Sequence, residues 1–174
     1  MNPWVGAIGA LALMAASPAM SQSVQDAAVQ AFTQICIPAS ETSTAPRDLA
    51  AAAGYQQGGR LEPGLRGMFP TAGLSFIAPS DEGRVQVVST VMPPPSTPYS
   101  CLVTVEGDAN GVFAGVTAYL TAQGYAPNDA ANQSGVEMLD MQKTDGAAID
   151  RVIGLRNLNP QGDGDMLLIA YRVE

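Results

Sequence analysis

The ionisable side chains of this 174-residue chain limit the reactions that it could catalyse. It has sixteen Asp and Glu and no histidine, one lysine (Lys143), and two cysteines, Cys36 and Cys101. Without an imidazole there can be no Ser-His-Asp triad, no Cys-His pair and no histidine metal ligand. A Ser-Lys mechanism would need a desolvated Lys143, but this residue lies beside a predicted tight turn, where we expect it to be exposed and charged. Carboxylates are therefore the remaining candidates for chemistry.

One pair of carboxylates could serve a glycosidase, which needs two such groups about 5–9 Å apart. Asp140 and Asp150 lie on facing strands of a predicted hairpin and could approach each other across its turn. The alternative is that both are solvated residues on the outside of a sheet. Sugar sites also favour aromatic platforms, and the single tryptophan, Trp4, lies in the segment that we expect to be removed. We predict no catalytic residue.

An acidic turn resembles the start of a helix-loop-helix calcium loop. It spans Glu106–Gly111, but Thr117 occupies the twelfth position, where that loop requires a bidentate glutamate. Asp108 or Asn110 is better explained as the cap of the following helix. A second acidic turn, Asn159–Asp165, also lacks a later carboxylate, and the glycines after residue 53 do not fit a dinucleotide fingerprint. We predict no metal and no cofactor.

The overall charge narrows the range of partners. The formal net charge is −8, with only eight Lys and Arg, and the isoelectric point is near 4.3. Binding to nucleic acid or to an anionic membrane surface depends on clustered Lys and Arg. We therefore expect neither, and we expect the partner to be an envelope protein or a small ligand.

The amino terminus has the layout of a secretory signal. Residues 4–16 are apolar and uncharged, and the small residues Ala19 and Ser21 follow them. We predict cleavage after Ser21, a mature start at Gln22, and a single globular domain over 22–174. A membrane anchor is the alternative, but a span needs about 20 apolar residues. The predicted location is periplasmic or secreted.

The two cysteines fit that location. Cys36 and Cys101 form an even pair in a chain predicted to enter an oxidising compartment, where disulfides persist. Free buried thiols and a redox couple are the alternatives, but redox cysteines usually lie close together in sequence. We predict a structural Cys36–Cys101 bond.

Periodicity and turn residues predict the helices. An apolar stripe at helical spacing runs from Val24 to Cys36, with Ser23 as its cap and Pro38 as its end. A polar connector over 39–45 leads to a short helix from Pro46 to Ala53. A third helix ends at Gln123.

Runs rich in β-branched and apolar residues predict the strands, and Thr144–Gly146 predicts a tight hairpin turn. The fold class is thus α+β, with a mostly antiparallel sheet of five to six strands and two to three helices packed on one face. The predicted strands are 74–78, 85–92, 99–106, 136–143, 147–158 and 166–173.

A Gly-Tyr pair follows two of the predicted helices, at Gly54-Tyr55 and at Gly124-Tyr125. Each pair comes after a cysteine, which could indicate an internal duplication. Little else in the two segments aligns, so we interpret both pairs as ordinary helix ends.

Two short segments carry a resemblance to known proteins. Residues 31–36, AFTQIC, followed by residues 51–55, AAAGY, are similar to small uncharacterised exported proteins of Gram-negative bacteria. The resemblance implies export and no particular activity.

A long loop supplies the candidate interaction site. The loop Gln56–Gly73 and the proline-rich crossing Pro93–Pro98 would form the binding face, because long ordered loops often have a function. Arginine, methionine and aromatic side chains are enriched at interface centres. The alternative is that the apolar members cover one end of the core. The candidate interaction residues are Arg60, Arg66, Met68 and Phe69.

These observations favour an exported protein that acts by binding a small molecule or an envelope protein. One alternative is a structural or secretion-system accessory protein, for which a broad apolar patch would be expected. The other is an enzyme that uses carboxylates or bound calcium.

Overall fold

A computed structural model describes residues 22–58, 75–79, 85–90, 99–128, 138–157 and 164–174. In these residues one antiparallel sheet of eight strands is combined with three helices, and Cys36 is bonded to Cys101. The α+β class, the antiparallel pairing and the disulfide are confirmed. The predicted count of five to six strands is wrong.

The first helix is longer than the sequence predicts. It consists of α1 (Val24–Ala31), a π-helical segment (Phe32–Cys36) and α2 (Ile37–Thr42) in direct succession. Ser23 caps it by accepting a hydrogen bond from the Asp26 amide at 3.1 Å. The predicted end at Pro38 and the predicted connector over 39–45 are therefore wrong.

The π-helical segment explains why Pro38 does not end the helix. The amide of Ile37 donates to the carbonyl of Phe32, five residues back, so the hydrogen-bond register is reset before the proline. Pro38 then lies in the first turn of α2, where a missing amide is tolerated. The helix ends at Ser43, which has a left-handed backbone with φ of 54°.

Two further helices have the predicted glycine ends. They are α3 (Pro46–Ala52) and α4 (Ala109–Ala122). Gly54 and Gly124 follow them with φ of 78° and 83°, a conformation that glycine adopts without strain.

The strand order in the sheet is β1-β2-β3-β4-β8-β7-β6-β5. The two strands that the sequence did not predict, β1 and β5, have two residues each and lie at the two edges. Pro127 lacks an amide donor, which suits the edge strand β5. The strands are β1 (Gln56–Gln57), β2 (Ser75–Ile77), β3 (Val85–Thr90), β4 (Ser100–Val105), β5 (Ala126–Pro127), β6 (Met138–Asp145), β7 (Ala148–Asn157) and β8 (Asp165–Val173).

The sheet consists of two structural repeats, which we call the first repeat (α3 and β1–β4) and the second repeat (α4 and β5–β8). Their strands pair in matching register. The pair Ser75–Val88 of β2 and β3 corresponds to Asp140–Ile153 of β6 and β7. The pair Val85–Val105 of β3 and β4 corresponds to Asp150–Arg172 of β7 and β8. The pairing of β4 with β8 is symmetric about Leu102 and Ile169, so the repeats are related by an approximate two-fold axis.

The helix ends match as well. The amide of Tyr55 donates to Ala50 and that of Tyr125 donates to Leu120, both at 3.0 Å. The two Gly-Tyr pairs are the helix ends that the sequence predicts, and they also occupy equivalent positions of the repeat.

The first helix lies across the seam between the repeats. Its α1 part contacts α4, β3 and β4, and its α2 part contacts β4 and β8. The disulfide ties the helix to β4, with the Cα atoms of Cys36 and Cys101 5.0 Å apart. This helix belongs to neither repeat.

The two faces of the sheet differ. On the inner face, strand residues such as Val103 and Leu168 join buried helical residues in the main core. On the outer face, Val88 and Leu102 pack with Leu167 and Ile169, and no helical residue of the described part joins them. None of the helices in the described residues is long and apolar enough to span a membrane.

Candidate functional site

The repeat provides an internal reference for the inner face. In the first repeat, Ala78, Val85 and Val105 are apolar and at most 1 % exposed. The register places Lys143, Asp150 and Arg172 at the equivalent positions of the second repeat. Because the first repeat folds around apolar residues here, the architecture does not require charged ones.

Asp150 is the most buried member of this charged set. It is 2 % exposed, and its Oδ1 lies 3.7 Å from Nη1 of Arg172 without a hydrogen bond. Burial raises the pKa of Asp150 above its ordinary value, and the nearby Arg172 guanidinium opposes that rise.

Arg172 links Asp150 to the end of the first helix. Its Nη1 donates to the carbonyl of Glu41 at 2.8 Å, and its Nη2 donates to Asp145 Oδ2 at 2.7 Å. The carbonyls of a final helical turn lack partners within the helix and carry partial negative charge, so a cation is favourable there. Arg172 thus holds the end of α2 against the second repeat.

Lys143 and Tyr125 complete the inner charged cluster, which we define as Glu41, Tyr125, Lys143, Asp150 and Arg172. Lys143 Nζ lies 3.5 Å from Glu41 Oε1 and 5.6 Å from the centre of the Tyr125 ring. Burial, and secondarily the charge of Asp150, raise the pKa of Tyr125. At neutral pH the phenol is therefore uncharged.

An open groove of about 540 Å³ lies beside this cluster. Glu41, Asp145 and Arg172 line it together with Ser43 and Glu174. Asp145 and Arg172 form an ion pair with each other, and Glu41 forms one with Lys143. These charged side chains of the groove therefore hold the end of α2 against the second repeat.

Asp140 does not approach Asp150. In register Asp140 pairs with Ile153 and Asp150 pairs with Lys143, so the two carboxylates point to opposite faces of the sheet. The proposed carboxylate pair is therefore wrong, and so is its alternative of two solvated residues, because both are buried.

On the outer face, Asp140 forms a bidentate ion pair with Arg151. Arg151 Nε donates to Oδ1 at 3.0 Å and Nη2 to Oδ2 at 2.6 Å, while Asn128 Nδ2 donates to Oδ2 at 3.2 Å. The Asp140 side chain is 2 % exposed and that of Arg151 is 33 % exposed. The guanidinium is thus fixed in position and presented on the outer face.

The acidic turn before α4 caps that helix. Asp108 accepts a hydrogen bond from the Gly111 amide at 3.3 Å, which confirms its predicted capping role. Asn110 Oδ1 accepts from Arg156 Nη1 at 2.6 Å. Within the described ranges, no three His, Cys, Asp or Glu side chains gather as a metal site would require.

The candidate interaction site of the sequence analysis lies outside the described residues. This applies to Arg60, Arg66, Met68 and Phe69 and to the crossing Pro93–Pro98. Their role in binding stays a prediction.

The outer face of the second repeat is apolar where the first repeat is polar. Leu155 occupies the position of Thr90, and Val173 that of Glu106. Ile149 and Leu155 are large hydrophobic residues that are 36 % and 38 % exposed. We call this surface the outer apolar face and define it as Ile149, Ile153, Leu155, Leu167, Ile169, Tyr171 and Val173.

The strand β8 carries a sequence signal for this face. The run Met166–Ala170 is apolar at every position, a pattern typical of a strand that is covered on both faces. Among the described residues, helices cover only the inner face of β8. The sequence thus predicts a second covering layer on the outer side.

No protein-family model, no curated protein and no solved structure matches this chain.

Proposed function

We propose that this protein is exported to the periplasm or secreted, and that it acts there by binding another protein through the outer apolar face. The observation that carries the proposal is the exposure of two large apolar side chains on the outer face of β7, Ile149 and Leu155, of which Leu155 occupies the position of Thr90 in the first repeat. Contiguous exposed apolar patches are uncommon on proteins that act alone, and they mark contact surfaces.

The residue types of the face support a contact with protein. Tyr171 of the face pairs in register with Arg151, which lies beside it on the same side of the sheet, and arginine and tyrosine are enriched among residues that dominate binding energies. Arg151 is held by the buried Asp140, so little side-chain entropy would be lost when a partner binds. The surrounding aliphatic side chains would exclude water from the contact.

The disulfide supports the proposed location. Cys36 and Cys101 are both fully buried and join the first helix to the centre of the sheet. Structural disulfides of this kind are characteristic of proteins in oxidising compartments. The mature chain should then begin at Gln22, and intact-mass analysis of the exported protein tests this. Retention of residues 1–21 would contradict the cleavage that we propose.

Site-specific photo-crosslinking in the producing cell tests the binding function. A photoreactive amino acid replaces Leu155 on the outer apolar face, and a matched control variant carries it at Ala118, an exposed position of α4. We expect protein adducts from position 155 and none of comparable yield from position 118. Equal, low yields from both positions would refute the proposal, provided that both variants keep the parent's melting temperature.

A further inference from the structure

We infer that Arg151 is the specificity-determining residue of the proposed contact, and that the partner protein places a carboxylate against it. This inference rests on the proposed function, and it names the chemistry that the partner brings to one point of the surface. That point lies where Arg151 of β7 pairs in register with Tyr171 of β8, on the outer side of the sheet.

The guanidinium of Arg151 has one edge engaged and a second edge directed elsewhere. Nε and Nη2 both donate to Asp140, at 3.0 Å and 2.6 Å, so this carboxylate occupies the edge that these two nitrogens share. The edge formed by Nη1 and Nη2 points in another direction, and its two N–H groups have the spacing that a second carboxylate accepts. The Tyr171 hydroxyl also interacts with this guanidinium, and its O–H can donate to an anion bound there.

The two charges of the pair are unequally exposed. The Asp140 side chain is almost completely buried and also accepts a hydrogen bond from Asn128, whereas a third of the Arg151 side chain is exposed. A partner therefore meets the cation and not the anion. Arg151 is also the one cation at the outward strand positions of β4 and β6–β8 in the described residues. Charge complementarity at this point requires an anionic group from the partner.

Apolar residues flank Arg151 along both strands. The register pairs before and after the Arg151–Tyr171 pair are Ile149–Val173 and Ile153–Ile169. A partner that covers these side chains also excludes water from the guanidinium. Covering it without a second anion would leave its outer edge buried and unpaired, which would weaken the complex. A carboxylate from the partner removes that cost, and its hydrogen bonds are stronger in surroundings without water.

The first repeat shows that the architecture does not require this charged pair. Ser75 occupies the position of Asp140, and Gln86 occupies that of Arg151. The same strand register thus carries a neutral pair in one half and a charged pair in the other. The charged pair lies in the half that exposes large apolar side chains on its outer face. Its presence there fits a role in binding.

The uncovered strip suits a single segment of a partner. The outward residues of β4, such as Leu102 with 1 % exposure, are already buried within the chain, so β7 and β8 form the strip. Two strands are about 10 Å wide, which is about the diameter of one helix. A contact of this size belongs to the small class of interfaces. In such a contact a fixed polar anchor decides the affinity more than the buried area does.

Photo-crosslinking from position 155 in the producing cell, combined with substitutions of the pair, tests this inference. Arg151→Gln takes its new residue from Gln86, and we expect it to lower the yield of protein adduct at least about 10-fold. The matched control Arg47→Gln removes a side chain of the same charge that is 59 % exposed on α3, and it should leave the yield unchanged.

A second variant guards against a loss of folding. Arg151→Gln leaves Asp140 buried without its cation, which destabilises the fold. The double variant Asp140→Ser/Arg151→Gln takes both residues from the first repeat and leaves no such charge. We expect it to melt within a few degrees of the parent and to show the same loss of adduct.

Mass spectrometry of the adduct identifies the group that the partner contributes. We expect an aspartate, a glutamate or a carboxyl terminus within about 13 Å of the crosslinked atom, because four residues separate positions 155 and 151 on β7. Changing that carboxylate to an amide should lower the yield as much as the double variant does. Combining the two changes should add no further loss, because both remove the same interaction.

The outcomes separate this inference from the proposed function. Protein adducts that the double variant retains in full would refute the carboxylate contact and leave the binding function standing. If position 155 of the parent gives no more protein adduct than position 118, both are wrong. An adduct with a lipid, or with a second copy of this chain, would also overturn the inference.

Discussion

Replacing the Asp150–Arg172 pair by the residues of the first repeat should separate the cost of burying a charge from the benefit of pairing it. The equivalent register pair is Val85–Val105, so Asp150→Val and Arg172→Val are both compatible with the architecture. We expect the two single variants to differ greatly. The pKa of Asp150 is raised by its burial, which means that the ionised carboxylate destabilises the fold despite Arg172.

The magnitudes follow from the contacts. Arg172→Val leaves Asp150 buried without its nearest cation, at a cost of about 3–5 kcal/mol, and removes the hydrogen bond to the Glu41 carbonyl, about 1 kcal/mol more. The exposed pair with Asp145 contributes at most about 1 kcal/mol. Asp150→Val leaves Arg172 with both of its hydrogen-bond partners, so its free energy of unfolding should stay within about 1 kcal/mol of wild type or increase.

Adding Asp150→Val to Arg172→Val should therefore restore about 3 kcal/mol or more of stability. Urea denaturation of the mature chain at pH 7, with the disulfide intact, measures all four corners of this double-mutant cycle. If Arg172→Val and the double variant unfold with the same free energy, Asp150 carries no burial penalty and the reasoning is refuted. An Asp150→Val variant as unstable as Arg172→Val would refute it as well.

Three further predictions concern stability. Because the pKa of Asp150 is raised, the folded state binds the proton more tightly than the unfolded state does, and the free energy of unfolding should increase as the pH falls from 7 through the folded pKa. The full gain is reached below the ordinary pKa of 3.8. Urea denaturation at a series of pH values should show a smaller gain for Asp150→Asn. Replacing Cys36 and Cys101 together by Ala should lower the free energy of unfolding by about 4 kcal/mol, measured by the same denaturation, and a loss under about 1 kcal/mol would contradict a structural role. Gly54→Ala and Gly124→Ala should each lower the free energy of unfolding by about 1–2 kcal/mol, because both glycines have positive φ. The space around each Cβ is open, so no steric clash adds to this backbone cost. Clearly unequal costs would argue against equivalent helix ends.

The sequence predicts those elements whose signals are local. The apolar stripe from Val24, the start at Pro46, the stop at Gly54 and the hairpin after Asp145 each depend on a few neighbouring residues, and the structure confirms them. The strands β1 and β5 have no such signal, because two residues show no periodicity and pair only when the rest of the sheet is in place. The helix end predicted at Pro38 is wrong for a related reason. The π-helical segment before the proline changes the hydrogen-bond register, and the residues next to Pro38 give no sequence signal of that change.

The inner charged cluster was beyond sequence reasoning because its members come from distant elements. Glu41, Tyr125 and Arg172 are brought together only by the end of α2, the end of α4 and the last strand. The repeat was missed because the two halves share backbone register and not side chains, as Val85 and Asp150 illustrate. The order and register of the strand pairing identify it, and the two Gly-Tyr pairs are the one residue similarity that the described helix ends share.

The position of the first helix explains why the repeats differ at this cluster. A single helix that lies across a two-fold seam cannot present the same end to both halves. Its last turn contacts β8 of the second repeat, where Arg172 donates a hydrogen bond to the carbonyl of Glu41. The α1 part of the helix contacts β3 and β4 of the first repeat, where Val85 and Val105 hold the equivalent positions.

The seam between β4 and β8 also has a consequence for the assembly of the fold. Two separate copies of a four-stranded unit would have to associate along five residue pairs, a contact too small for a tight complex. Joined in one polypeptide, the same halves meet at an effective concentration of the order of millimolar, so a weak contact suffices. The covalent link therefore removes the requirement that both halves keep an identical association surface. One half is thereby free to devote its outer strands to a different contact.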